Sequence, residues 1–399
     1  MTKGSFDILM LLDNPLASDQ RVEKEAASLT EAGLSVVILA SNEDQSLPEK
    51  EERNGYTILR RISPFFKHPM RSGYKDKVSA LAAEVLQFNF TILHCHDFQL
   101  LPVAAEVKAL RPETFFLYDS HEYLLGWPYY KETPGLLNRI KGYFVWKRFL
   151  RLEQVHSQTM NAFICPSPTI GLLQRKHLRT SLSPLILRNI PSEPEEVKDF
   201  DLRAALDLPK GAILIVHAGN LHQSDKDIDR LVASVGSKPG RHLLLVGNRP
   251  RFYAVKARLE SHPEWSAFVH FHEYDAKTLF HVLKQCNIGV AATQTKYLAH
   301  RVGSSNRVME YTKAGLPVMA TNQESHAGMQ ASFGHLELYN PNNGDSIELA
   351  LDTLLEDLPA YSKKAISAAG SLSWEHEIHP LVNLYVKISA QHLIQNNSK

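Results

Sequence analysis

Short apolar runs alternate along this chain with stretches whose apolar residues recur every three or four positions. Ile8-Leu9-Met10-Leu11-Leu12 is a continuous apolar run, the pattern of a parallel strand covered on both faces. Val22, Ala26 and Leu29 follow at helical spacing within 19–32, Gly33 ends that segment, and Val36-Val37-Ile38-Leu39 begins the next strand. Further strands are expected at 55–62, 92–97, 115–118, 162–165 and 185–187, separated by helices at about 75–88, 102–110, 136–160 and 169–177. The strand at 115–118 carries Asp119-Ser120-His121-Glu122 at its carboxyl end. Positions 191–201, rich in Pro, Ser and Glu, read as a linker. The alternation then restarts, with strands at 213–216, 242–246, 269–272 and 288–291, and another from Val318. From Trp374 onward Ile378, Leu381, Leu384, Tyr385 and Ile388 mark one amphipathic helix. The pattern predicts an α/β protein of two doubly wound parallel-sheet domains joined by a linker.

The most informative stretch is Gly303-Ser304-Ser305-Asn306-Arg307-Val308-Met309-Glu310, followed by a helix stop at Gly315 and Pro317. Ser305 suits the N-cap position, and Gly315 suits the left-handed residue that ends a helix. Glu310 falls two residues beyond the place of a capping-box glutamate, so capping does not account for it. A helix start with free amides is a natural anion site.

Composition narrows the class. The chain has 399 residues, 44% of them hydrophobic, and a net charge of +1 from 44 basic and 43 acidic residues, so no global field favours nucleic acid. Three dispersed cysteines, Cys95, Cys165 and Cys286, fit unpaired thiols in a reducing compartment. No apolar run approaches the ~20 residues of a spanning helix. The expected location is the cytoplasm, with peripheral contact at the inner face of a membrane as an alternative.

Several chemistries are excluded by missing motifs. There is no Gly-x-Gly-x-x-Gly dinucleotide fingerprint, no P-loop and no Gly-x-Ser-x-Gly elbow. What remains sits at strand ends, where ligands bind in open α/β sheets. Gly219 follows a strand and Lys226 opens the next helix, a pairing suited to phosphate. His121 is a candidate catalytic or sugar-contacting imidazole. His94, His96, Asp97, His121 and Glu122 also allow a metal-centred hydrolase, although His-x-His-Asp spacing alone is a weak signal. Trp127, Tyr129 and Tyr130 could stack on a sugar or fill the core beneath a loop. Between 136 and 151, Lys141, Lys147, Arg148 and Arg151 are interleaved with Tyr143, Phe144, Trp146 and Phe149, which suits either a membrane-surface helix or one packed on a sheet.

With these residues in place, the chain resembles the retaining, nucleotide-sugar-dependent glycosyltransferases of group 1, also called family four, which have the GT-B fold. The likeness runs through DQRVEKEAASLTEAGLSVVILA, ILHCHDFQLLPVAA, FFLYDSHEYL, AFICPSPTI, LILRNIP, ILIVHAGNL and SWEHEIHPLVNLY, and SSNRVMEYTKAGLPVMA is its most specific piece. It implies two domains facing a cleft. Residues 1–190, completed by the C-terminal helix 374–399 crossing back, would bind the acceptor, and 202–373 would bind the donor. It implies a hexosyltransferase-type enzyme of polysaccharide or glycoconjugate biosynthesis, with a nucleotide sugar and a glycan, lipid-linked sugar or small molecule as partners. Glu310 would hold the donor ribose, Gly303 to Ser305 would offer amides to sugar and diphosphate, Lys226 would meet the diphosphate, and His121 would lie by the transferring sugar. The donor side then comprises Gly219, Asn220, Lys226, Gly247, Gly303, Ser304, Ser305, Asn306 and Glu310. The acceptor side comprises His96, Asp97, Glu122 and Trp127. The resemblance implies no bound metal or other cofactor.

Three positions depart from the family pattern. Val302 stands where members usually carry a second glutamate, Asn220 where an arginine is frequent, and Asn14-Pro15-Leu16 where a glycine pair is frequent. Val302 and Asn220 motivate an alternative, a catalytically weak or inactive paralogue that acts as a glycan- or partner-binding module.

Overall fold

The computed structural model describes residues 4–17, 19–191, 200–219, 221, 224–275, 278–293 and 296–397. The chain divides into two compact units, Met1–Arg188 with Glu375–Lys399, and Asn189–Trp374.

The first unit holds an eight-stranded sheet: β1 Ser5–Leu11, β2 Val36–Ser41, β3 Lys50–Arg53, β4 Tyr56–Ile62, β5 Asn89–His96, β6 Phe115–Asp119, β7 Ala162–Cys165 and β8 Leu185–Ile186. Their order is β3-β4-β2-β1-β5-β6-β7-β8. Every pairing is parallel except β3 with β4. That antiparallel hairpin lies at the edge of an otherwise parallel sheet. Asn54 and Gly55 take positive φ, 45° and 82°, as a tight two-residue hairpin turn requires. The edge it forms, Lys50-Glu51-Glu52-Arg53, is fully charged, which discourages pairing with another chain. Four helices matter below: α1 Gln20–Glu31, α2 Tyr74–Val85, α3 Leu101–Leu110 and α4 Leu136–His156.

The second unit holds β9 Ile213–Ala218, β10 Arg241–Gly247, β11 Val269–Glu273, β12 Ile288–Ala291, β13 Val318–Thr321 and β14 Leu336–Tyr339, ordered β11-β10-β9-β12-β13-β14. All five pairings are parallel. Neighbours along each strand enter opposite cores. Ile215, Leu243 and Leu245 join one apolar cluster, while Leu214, Val216, Leu244 and Val246 join the other. This two-sided burial explains why the strands read as unbroken apolar runs. Beyond the elements expected from sequence, 322–373 adds β14 and the helices Glu324–Phe333, Gly344–Glu356 and Leu358–Ser371.

Strand order reverses direction between β1 and β5 in one sheet and between β9 and β12 in the other. Crevices at such reversals are where open α/β sheets take ligands. The C-terminal helix, Trp374–Asn397, buries Ile378, Leu381 and Tyr385, and its residues from Glu375 onward belong to the first unit. Glu377 accepts from the Arg188 backbone amide at 2.7 Å and pairs with the Arg188 guanidinium at 2.7 Å.

Candidate functional site

In the second unit β9 runs into Gly219, whose φ of +100° is open to glycine and costly for other residues. A Cβ there would lie 2.9 Å from Nη2 of Arg307, so that guanidinium rests over bare backbone. Arg307 Nη1 donates to His217 Nε2 at 3.0 Å, and His217 Nδ1 donates to the Val290 carbonyl at 2.9 Å. Burial and then the Arg307 charge push His217 down to about 3, leaving it a neutral acceptor. Tyr311 lies over Gly289, where a Cβ would come within 2.4 Å of its ring. Its hydroxyl accepts from the Ala218 amide at 2.8 Å. These contacts fasten the helix Asn306–Lys313 to the ends of β9 and β12, at the reversal of strand order.

That helix begins and ends where its sequence predicts. Ser305 Oγ accepts from the Val308 amide at 3.4 Å, and Gly315 takes φ +76° with its amide bonded to the Thr312 carbonyl at 2.9 Å. The amides of Ser304, Ser305 and Asn306 make no hydrogen bond to any described residue. Gly303 differs, and the expectation that it offers an amide to a ligand is corrected. Its N–H already donates to the Ala299 carbonyl at 2.9 Å, and a Cβ would approach that oxygen to 2.7 Å. Glycine is needed there for close packing. Val302 is 2% exposed and ends the preceding helix, Leu298–Val302.

Burial pushes the Glu310 carboxyl up to about 7, against the pull of Arg307. No described residue hydrogen-bonds that carboxyl. Burial, followed by the Glu310 charge, raises the phenol of Tyr274, whose amide bonds the Gly247 carbonyl at 3.0 Å. Gly219, Gly247 and Glu310 thus belong to one neighbourhood. Lys226 is exposed in the first turn of the helix Asp225–Gly236, with no ion pair among the described residues. Asn220 lies outside the described residues.

The first unit builds a different kind of site. Arg21, from α1, is buried against the end of β6, with Nη2 2.9 Å from each Asp119 oxygen and Nη1 donating to the Leu187 carbonyl at 2.8 Å. Its Nε lies 3.0 Å from Glu25 Oε1. Burial works against the Asp119 carboxylate, but Arg21 and His121 outweigh it and hold Asp119 well below the usual carboxylate range. Burial, and then the Asp119 charge, push Glu25 up to about 8.

His121 sits at the rim of this network with 17% of its side chain exposed. Its Nδ1 lies 3.5 Å from Asp97, and its Nε2 lies 3.4 Å from Asp119 and 3.2 Å from His96 Nδ1. Burial opposes the charged ring, yet Asp97 and Asp119 raise it to about 10. Burial and neighbouring His94 push His96 well below the usual histidine value. The charge therefore resides on His121, and His96 accepts from it.

Sequence reasoning placed His96 among acceptor contacts, and the structure corrects that. His96 is 0% exposed and stacks on His94 with ring centroids 4.1 Å apart, so it supports His121 from beneath. Asp97, held at φ +59°, keeps 30% of its side chain exposed. Glu122 is exposed, and its carbonyl accepts from Ser120 Oγ at 3.1 Å. Trp127 meets Tyr129 edge-on at 5.9 Å in the loop that follows.

Three residues escaped the sequence reading. Arg21 resembles a solvated helix cation paired with Glu25 four residues on, and only strand order reveals what it faces. Arg307 lies within 303–317, and nothing in its spacing separates it from an ordinary surface helix cation. Asp13, 7% exposed beyond β1, has no hydrogen-bond partner for either carboxyl oxygen among the described residues, and burial pushes it up to about 7. Its signal was a lone acid ending an apolar strand.

Glu25, His94, His96 and Asp119 bring four buried ligand atoms within 4.8 Å of one another. Both Asp119 oxygens already accept from Arg21, which supplies the compensating positive charge from within the chain. The donor set thus fits an internal ion-pair network better than a cation site.

Two family models match the sequence, one described as Glycosyltransferase Family 4 over residues 20–182 and one as Glycosyl transferases group 1 over residues 212–357. No curated protein matches. Among solved structures, sucrose-phosphate synthase from Thermosynechococcus elongatus is similar with a TM-score of 0.72 at 18% identity, covering 96% of this chain and 100% of that one. Anabaena HepE in complex with UDP gives 0.66 at 14%, covering 98% and 100%. A UDP-forming trehalose-phosphate synthase from Burkholderia vietnamiensis gives 0.64 at 12%, covering 96% and 100%. At such identities these likenesses establish the fold, two parallel-sheet α/β units in one chain.

Proposed function

From the premise that this chain belongs to the group 1 glycosyltransferases, we propose that it moves a sugar from a nucleotide-diphosphate donor to a glycan, lipid-linked or small-molecule acceptor, retaining the anomeric configuration. The observation that carries this reading is Glu310. It is a carboxyl with no hydrogen-bond partner among the described residues, raised to about 7 by burial, one turn inside a helix at whose start the Ser304, Ser305 and Asn306 amides bond to no described residue. Two ribose hydroxyls would donate to Glu310 and favour its ionised form. The amides of Ser304, Ser305 and Asn306 would meet the diphosphate, with the exposed cation of Lys226 adding charge.

In the proposed step the bond between the sugar's anomeric carbon and the diphosphate oxygen breaks. The acceptor oxygen bonds to the same face of that carbon, and its proton passes to the departing phosphate. Donors fixed in advance on the leaving group lower the barrier without reorganisation. His121 is assigned to the transferring sugar, held as a donor by Asp97 and Asp119. Asp97, Glu122, Trp127 and the buried Asp13 are assigned to the acceptor. No step requires a metal. The reading is tested by thermal-shift screening against nucleoside diphosphates and nucleotide sugars, with UDP-glucose as first probe because UDP occupies a structural neighbour. A donor-specific shift that Glu310→Ala removes is expected. Absence of any shift and of any turnover across the panel would overturn it.

A further inference from the structure

The outer helix layer of the first unit carries a surface that sugar transfer leaves unused. α4 contains five cations, Arg139, Lys141, Lys147, Arg148 and Arg151, and one acid, Glu153. Glu153 is fully buried and bonded by Tyr118 at 2.7 Å and His177 at 3.0 Å, so the exposed side of α4 bears no negative charge. On that side Leu136 and Leu137 are each 74% exposed and Phe144 57%. Every residue in 134–141 is exposed, while Trp146, Phe149 and Leu150 anchor the helix on its inner side. Helical spacing aligns Leu137, Phe144, Arg148, Arg151 and Val155 along one stripe, apolar first and cationic beyond.

The stripe continues into a groove of about 450 Å³ between α2, α3 and α4, which Arg148 and Val155 help to line. Its walls are apolar at Val78, Pro102, Leu152 and Val155, and Lys75 adds a second cation. Tyr74, 7% exposed, also lines it, and its hydroxyl has no hydrogen-bond partner among the described residues. Glu106 lies in the same lining with His156, so the favourable place for an anion is between Tyr74, Lys75 and Arg148.

We infer that the exposed stripe of α4 and this groove form a docking site for an anionic lipid bilayer. Leu136, Leu137, Ile140 and Phe144 enter the boundary between headgroups and acyl chains, and the α4 cations meet lipid phosphates. The groove seats one lipid, its phosphate beside Lys75 and Arg148 and its chain against the apolar walls. Charge complementarity selects this occupant. A second copy of the chain would bring one predominantly cationic face against another.

The test uses the full chain in vesicle co-sedimentation. Binding is expected to phosphatidylglycerol-containing vesicles at moderate salt and not to pure phosphatidylcholine. Leu137→Asp combined with Phe144→Asp is expected to lower the partition at least tenfold. Lys141→Ala or Arg151→Ala is expected to lower it about fivefold each. Tyr74→Phe with Arg148→Ala is expected to cost at least threefold more than Arg151→Ala, and equality would remove the groove from the site. A Phe144→Trp variant, which keeps the apolar surface, is expected to lose emission to brominated phosphatidylglycerol. Unquenched emission, or no partition onto anionic vesicles, would overturn the inference. So would a solution dimer that Leu137→Asp dissociates, or displacement by inorganic phosphate beyond that of chloride at equal ionic strength.

Discussion

The two strand-end sites solve opposite problems with similar residues. In the first unit Arg21, Glu25, Asp97, Asp119 and His121 neutralise one another before any ligand arrives. In the second, Glu310 and the amides of Ser304, Ser305 and Asn306 are left without protein partners among the described residues. The difference teaches how to separate scaffolding charge from recognition charge. A buried charge already balanced by its neighbours contributes to folding and holds a proton in place, whereas Glu310, on the proposed reading, receives its partners from the donor.

The sharpest way to break this contrast is Asp119→Asn. It leaves Arg21 buried and undercompensated, and chemical denaturation of the first unit is expected to register a loss of about 3–5 kcal/mol. The corresponding change in the second unit, Glu310→Gln, is expected to leave stability unchanged or slightly higher, since it removes no internal bond. Comparable losses from both variants would erase the distinction.

Proton linkage separates the sites next. His121 has its folded value raised from 6.5 to about 10, so its stabilising contribution is full below about 6.5 and is lost as pH rises towards 10. Urea denaturation should lose up to about 1.4 kcal/mol per pH unit across that window. Asp97→Asn should flatten the slope, and an unchanged slope would assign it elsewhere.

Donor binding should run the other way. Glu310, raised to about 7, must ionise to accept two hydroxyls, so UDP-glucose affinity by calorimetry should increase roughly tenfold from pH 6 to pH 8. The diphosphate diester does not titrate in that range, and Glu310→Gln should abolish the dependence. The smallest effect expected is that of Ser305→Ala, which removes the helix cap at a cost of about 1 kcal/mol in a thermal melt.

Much of the fold could be read from the chain because both sheets are covered on two faces, so that strands stand out as apolar runs between periodic segments. Ser305 and Gly315 could be read because caps depend on their own residue types. In the candidate site the sequence singles out Glu310 because its place within the helix is local information. The burial of His96, the hold of Arg307 on His217 and Gly219, and the pairing of Arg21 with Asp119 depend on which strand ends become neighbours. Strand order sets that, and no spacing in the sequence encodes it. The β3–β4 hairpin was different. Asn54-Gly55 announced it, and the charged run before it hid the strand.

The latch between Arg188 and Glu377 bears on how the protein is made. Tyr385, which meets His94 edge-on at 5.9 Å and helps enclose the charge network, is synthesised only after the whole of 189–374. During translation every strand of the first unit emerges before that helix is made, so the apolar seat of the helix stays exposed while 189–374 is synthesised. A ribosome paused after residue 374 would therefore display a first unit still open at that seat, with the end of the second unit still inside the exit tunnel. The N-terminal-first order in which domains fold as they emerge therefore cannot complete the first unit, and chaperone demand should fall on the half of the chain that was made first.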